Sequence, residues 1–234
     1  MDAMDNIVSN NLKEEMKLFT VKTTFIAHGT TEIEVVYTND ISQVEETLEI
    51  LKRKQLKQEY DKEFMGLDFE YTNAEKDKHE VAVVQLCVDK TVLVWQLSRP
   101  KERCESLFNW FRERYSKFAS VDITGDKKVM ERTWGFTIPL RYHVDIQDIY
   151  NIRGSGRRTG MATIAGHIID DSYKDMKYKF PEDGHKFWDT QPLDEVNLRY
   201  AAIDGFVAFE LYRRLQLILK GLVVLQTKPN AQPA

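Results

Sequence analysis

The sequence predicts an α/β fold: a mixed β-sheet with helices packed on both of its faces and a β-hairpin ahead of the main run of elements. Three observations lead there. Short runs with period-two alternation or continuous apolar character recur between Leu18 and Asp145. Segments of helical period separate them, and a long helical pattern closes the chain. The resulting order is strands, helix, strands, helix, strand, helix, strand, helices, which suits a sheet sandwiched between helical layers.

The elements follow in turn. "LFTVKTTFIAHG" and "TEIEVVYTND" alternate apolar and polar residues around Gly29, the pattern of paired strands. In "NDISQVEETLEILKRKQ", Ile41, Val44, Leu48 and Leu51 fall on one helical face, and Asp40 or Ser42 supplies the cap. The charged run from Lys52 to Glu63 reads as a solvated helix end and linker. "FMGLDFEYT" is the next strand. "EVAVVQLCV" and "TVLVWQL" follow, joined by "DK" as a hairpin. "ESLFNWFRERY" is helical, and "KFASVDI" is a short strand that runs into "TGDKKVMERTWG", a turn at Gly125 and then a helix. "YHVDIQDIY" reads as a strand and a turn, "NIRGSGRRTG" as a loop and "GMATIAGHII" as an amphipathic helix. Residues 170–191 are irregular, and "PLDEVNLRYAAIDGFVAFELYRRLQLIL" is one long helix with Asp194 at its anion-favouring start.

With 234 residues, the chain suits one domain: a flexible stretch at 1–16, a single domain over 17–225 and a disordered tail at 226–234. Its 42% hydrophobic and 30% charged residues are an ordinary globular balance. The opening residues have neither a signal-peptide core nor an Arg-rich transit pattern, and the apolar run "LYRRLQLILKGLVVL" is broken by charges and too short to span a bilayer. The expectation is a soluble intracellular protein of the nucleus or cytoplasm, with no membrane partner. Two cysteines, Cys87 and Cys104, are too few for a disulfide framework or a cysteine zinc site. The net charge of −4 excludes coating of nucleic acid by bulk charge, so any phosphate binding must be local.

Three features carry chemistry. Asp68 and Glu70 are two apart on a strand and point to one face, while Met65, Leu67, Phe69 and Tyr71 point to the other. Asp126 follows Gly125 at a helix start, where a first-turn acid has a favourable contact with the helix dipole; Asp122, four residues earlier and inside the strand, competes with it. Tyr200 and Asp204 are four apart on the last helix, one turn above each other, beside the small residues Ala201, Ala202 and Gly205 that permit close helix approach. Each feature alone has an ordinary structural explanation. Carboxylates inside an apolar strand, however, need a compensating partner.

Asp-x-Glu on a strand, Asp after a glycine turn, and Tyr-x-x-x-Asp on a late helix, in that order, resemble the DEDD exonuclease superfamily in its tyrosine branch. The likeness is to the Werner-syndrome-type 3′–5′ exonuclease domain, and it runs from about Met65 to about Leu215, through "VAVVQLCV", "TGMATIAGHII" and "YAAIDGFVAFELYRRL". The histidine branch would place histidine about five residues before the last aspartate, where Arg199 stands. Two departures are visible: Tyr71 stands where the strand motif usually has tryptophan, and Asp122 stands at a position usually occupied by glycine.

The resemblance implies a ribonuclease H-like fold and a metal-dependent 3′–5′ exonuclease, a phosphodiester hydrolase that releases nucleoside 5′-monophosphates from DNA or RNA. Asp68, Glu70, Asp126 and Asp204 would hold two divalent cations, Mg²⁺ or Mn²⁺, and Tyr200 would orient the attacking water. Hard oxygen ligands do select such ions, and four unneutralised carboxylates at one place would repel strongly, by about 4 kcal/mol for a pair 4 Å apart at an effective dielectric of ~20.

The substrate residues are a separate expectation. The backbone at Leu67 and Phe69 flanks the ligands. Lys127 and Lys128 follow Asp126. Arg153, Arg157 and Arg158 stand around two glycines, suited either to phosphate contacts or to a solvated basic loop. "SYKDMKYKF" mixes Tyr173, Tyr178 and Phe180 with lysines, as single-strand binders do. The five histidines lack ligand spacing, and His167 reads as a packing residue. The partner is a nucleic acid with a 3′ end. Relatives that clear small RNA fragments carry a hairpin ahead of the first motif and act as homo-oligomers, and a targeting protein is a further expected partner. The competing reading is a catalytically weak scaffold that binds nucleic acid.

Overall fold

The computed structural model describes residues 17–58, 63–150 and 159–221. The expected flexible start, the expected disordered tail and the loop with Arg153, Arg157 and Arg158 lie outside the described residues.

Seven strands form one sheet: β1 (Thr20–His28), β2 (Thr31–Thr38), β3 (Phe64–Tyr71), β4 (Val81–Val88), β5 (Thr91–Gln96), β6 (Lys117–Ser120) and β7 (His143–Asp145). Their order is β1-β2-β5-β4-β3-β6-β7. The pairs β1/β2, β4/β5 and β3/β4 are antiparallel, whereas β2/β5, β3/β6 and β6/β7 are parallel. The two predicted hairpins close where the sequence places them. Gly29 (φ 50°) turns β1 into β2, and Asp89 (φ 57°) turns β4 into β5. The N-terminal hairpin extends the sheet by pairing β2 alongside β5.

The helices are α1 (Ile41–Gln55), α2 (Glu105–Arg112), α3 (Ile123–Trp134), α4 (Ile146–Tyr150), α5 (Met161–Ile168), α6 (Met176–Lys179) and α7 (Glu195–Leu219). Asp40 caps α1 by accepting from the Ser42 amide, and Asp194 caps α7 by accepting from the Asn197 amide. Residues 171–175 and 182–186 form single 3₁₀ turns, which resolves the irregular stretch before α7.

The central strand β3 separates two environments by its alternation. Phe64 stacks on Phe209 of α7 at 5.0 Å, so the even residues face α7. Phe69 meets Trp134 of α3, which in turn meets Phe108 of α2, so the odd residues face the opposite helical layer. Gly66 is required where α7 crosses β3: a Cβ there would sit 2.3 Å from the Phe209 amide nitrogen and 2.5 Å from the Gly205 carbonyl oxygen. This contact sets α7 close enough for its side chains to meet those of Asp68 and Glu70.

Three local expectations are corrected. Helix α3 starts at Ile123, so Gly125 lies within it and the turn falls earlier, at Asp122. Asp122 is therefore not inside the strand. Its φ of 62° is left-handed, a backbone state that glycine adopts freely, which explains why glycine suits this position. "IQDIY" continues from β7 as the short helix α4 rather than as a turn.

Candidate active site

The acids of the first and third motifs meet at the carboxyl end of β3. Asp68 and Glu70 project from its α7 face, and Asp204 projects from α7 toward them; one carboxylate oxygen from each lies within 4.8 Å of the others. Asp204 is buried. The three line a cleft of about 360 Å³ that also takes in Phe69, Asp126, His185 and Tyr200. Three oxygen donors converging at this distance, without a cysteine or histidine among them, fit a hard divalent cation.

Asp126 reaches the same cleft from the first turn of α3, outside the 4.8 Å cluster. It is 5% exposed, and Tyr71 donates a short hydrogen bond to its Oδ1. Its Oδ2 is buried with no partner among the described residues. Burial first, and then the neighbouring Asp68 charge, push this carboxyl well above the usual carboxylate range. Such a group is costly unless a cation neutralises it or a proton does. The buried, unpartnered oxygen beside the three-acid cluster fits a cation ligand. Asp145, buried on β7, accepts from the Asp122, Ile123 and Gln147 amides and so fixes the turn that delivers α3.

Tyr200 stands one turn before Asp204 and is enclosed by rings: Phe180 at 4.0 Å, His185 at 5.8 Å and Trp188 at 6.1 Å between centroids. Burial, followed by the charges of Asp204, Glu70 and Asp68, raises the phenol far above its ordinary value. In this setting the hydroxyl keeps its proton and acts as a donor.

The chain matches the model of the 3′–5′ exonuclease family over residues 35–220. It belongs to that family. No curated protein gives a sequence match. Among solved structures, the exonuclease domain resembles the catalytic core of RRP6 from Trypanosoma brucei, with 12% identity and a TM-score of 0.59 over 79% of this chain and 47% of the other. It also resembles RNase D of Escherichia coli, an exoribonuclease involved in structured RNA processing, with 15% identity and a TM-score of 0.60 over 79% of this chain and 45% of the other. A third likeness is to Brucella melitensis NrnC bound to pGG, at 20% identity and a TM-score of 0.54, covering 70% and 77%. The chain thus spans about half the length of the RRP6 and RNase D structures. These likenesses establish the fold, a ribonuclease H-like mixed sheet. The family match gives residues 35–220 the 3′–5′ exonuclease domain.

The exonuclease's expected substrate residues fare unevenly. Leu67 is fully buried, and its carbonyl accepts from Ser120 Oγ at 2.8 Å, so its backbone oxygen is engaged inside the sheet. Phe69 does line the cleft, from a largely buried position. Lys127 does not line it; the side chain is half-buried and close enough to His143 to lower that group's pKa. Tyr173 and Phe180 are buried, which fits aromatics that cover the core, and the side chain of Tyr178 lies outside the described residues. His167 is exposed and hydrogen-bonded to Tyr150 at 2.7 Å rather than packed. Sequence reasoning missed the Tyr71–Asp126 bond and the place of His185 beside Tyr200. Tyr71 was visible only as an odd-numbered residue of β3, assigned to the core; it does face the layer that holds α3, and there its hydroxyl meets Asp126.

Proposed function

We propose that this chain is a tyrosine-branch DEDD exonuclease of the Werner-type, hydrolysing phosphodiester bonds from the 3′ end of DNA or RNA through two divalent cations, Mg²⁺ or Mn²⁺. The observation that carries the reading is the convergence of Asp68, Glu70 and Asp204 in one cleft with Tyr200 one helical turn away.

Asp68, Glu70, Asp126 and Asp204 are the residues that would hold the ions. Divalent cations bound there supply a water of lowered pKa and neutralise charge on the phosphoryl oxygens. The chain's own contribution is positional. Asp68 and Glu70 are fixed by the register of a central strand, and Asp204 by a helix pressed onto Gly66. Tyr200, held in its ring of aromatics, keeps its hydroxyl proton and orients the attacking water by hydrogen bond. The water oxygen forms the new bond to phosphorus, the bond to the 3′ oxygen breaks, and that oxygen gains a proton. The products are a nucleoside 5′-monophosphate and a strand one nucleotide shorter.

The likeness to RNase D, an exoribonuclease, supports counting RNA among the substrates. Its test is a side-by-side digestion of matched single-stranded and duplex DNA and RNA, labelled at the 5′ end, with Mg²⁺ or Mn²⁺. The expected result is stepwise shortening with 5′-mononucleotide release that stops on chelation. Persistent binding without release under both metals would instead favour a scaffold.

A further inference from the structure

The acidic cleft has a neighbour. A second concavity of about 230 Å³ shares Tyr200 and Met176 with it, as a common wall. It is lined by Val196, Tyr200 and Ile203 of α7 and by Ala27 near the end of β1. It is smaller than the about 300–1,000 Å³ of pockets for drug-sized ligands, a size for one ring system rather than an extended molecule.

Two cations are among its lining residues. Lys179 is exposed. Arg199 is exposed but fixed: its Nη2 donates to the Ile26 carbonyl at 3.0 Å, and its guanidinium lies 5.8 Å from the centre of the Phe25 ring. The wall opposite is knitted to β1 by the contact between His28 Nδ1 and the Tyr173 hydroxyl at 2.8 Å. None of the described residues that line the concavity is acidic, in contrast to the cleft beside it.

A largely apolar concavity sized for one ring, lined also by a fixed Arg199 and by Lys179 and sharing residues with the acidic cleft, matches the chemistry of a nucleotide: a flat base with a π-face and an anionic phosphate. We infer that this groove holds the base of the nucleotide on the 5′ side of the scissile bond, with Arg199 and Lys179 facing the backbone phosphates. The inference rests on the exonuclease reading above and deepens it. It makes the N-terminal hairpin part of the substrate site, because β1 supplies both Ala27 and the carbonyl that fixes Arg199. It also requires the last two nucleotides to be unpaired, since a base in the groove is unavailable to a complementary strand.

The test compares two fluorescent single-stranded oligonucleotides of equal length, one intact and one with an abasic site at the second nucleotide from the 3′ end. Binding is measured by anisotropy to the Asp68→Asn/Asp204→Asn protein, which lowers the charge of the cleft and removes turnover. The abasic strand is expected to bind at least about fivefold more weakly, the lower end of what one stacked base contributes. An abasic site at the fifth nucleotide is expected to have no such effect. Val196 is 49% exposed, so Val196→Glu leaves the core untouched; it is expected to weaken the intact strand and to raise KM in the wild-type background with kcat retained. Equal binding of the two strands, or an unaltered KM in Val196→Glu, overturns the groove assignment while leaving the exonuclease reading intact. Failure of the intact strand itself to bind overturns both.

Discussion

The Tyr71 hydroxyl donates to Oδ1 of Asp126, and the other carboxylate oxygen of that residue is left buried and without a partner among the described residues. The bond joins the end of β3 to the first turn of α3. It therefore fixes the one acid that does not come from β3 or α7, and it leaves a single oxygen to be offered to the cleft. A carboxylate anchored in this way meets a cation with little reorganisation, and loss of such an outer partner typically costs 10–100-fold in metal affinity or activity.

Tyr71→Phe should accordingly raise the Mn²⁺ concentration needed for half-maximal cleavage by about tenfold or more. Calorimetric titration of the same variant should show weaker Mn²⁺ binding. An unchanged metal dependence by both measurements would mean that the bond is only structural.

Removing a ligand is more severe than loosening one. Asp68→Ala or Asp204→Ala each deletes one of three oxygens that lie within 4.8 Å of one another. Cleavage should fall below detection in either variant, and near-wild-type turnover would contradict the ligand assignment.

Tyr200→Phe keeps the ring among Phe180, His185 and Trp188 and deletes only the hydroxyl. Cleavage should slow by about 10²-fold or more, the scale of losing one preorganised hydrogen-bond donor. Mn²⁺ affinity by calorimetry should stay near that of the unaltered protein. A parallel loss of metal binding would show that the hydroxyl helps hold the ions instead.

What could be read from the chain divides along physical lines. Strand alternation and helical period placed Asp68 with Glu70 and Tyr200 with Asp204, because both periods are local properties of the backbone. The N-terminal hairpin was legible for the same reason, from Gly29 between two alternating runs. That α7 presses onto β3 was only hinted at by Ala201, Ala202 and Gly205; the decisive residue, Gly66, looked like any glycine in a strand. The Tyr71–Asp126 contact and the slot beside Tyr200 each depend on segments far apart in the chain meeting. Neither is encoded in any window of sequence.

Gly66→Ala tests the crossing directly. Its Cβ would meet backbone atoms of α7 at 2.3 and 2.5 Å, and backbone cannot rotate out of the way as a side chain can. The helix must shift as a unit, carrying Tyr200 and Asp204 with it. Stability by urea titration should fall by about 2 kcal/mol or more, at the upper part of the range for overpacking, and cleavage should fall with it. A variant with full stability and full activity would mean that α7 and β3 are farther apart than described.

The last prediction concerns acid. His143 on β7 is 2% exposed, and its Nε2 lies 2.9 Å from Ser120 Oγ. Ser120 has a single hydroxyl proton and donates it to the Leu67 carbonyl, so Nε2 must carry the hydrogen and donate to Ser120. The neutral ring then presents Nδ1 as an acceptor, buried and without a partner among the described residues. Protonating Nδ1 would bury a charge with nothing to receive its N–H. Burial, helped by the nearby Lys127 charge, holds the pKa down at about 3, against an ordinary 6.5. The sign follows from linkage: between those values the unfolded chain binds a proton that the folded protein refuses. The stability this group confers is fully present above about pH 6.5 and is lost as the pH falls toward 3, with a slope of about 1.4 kcal/mol per pH unit inside that window. His143→Gln keeps an N–H donor for Ser120 and cannot titrate, so its urea-denaturation midpoint should decline less between pH 6.5 and pH 4 than that of the unaltered protein. Parallel declines in the two proteins would show that His143 does not carry the acid sensitivity.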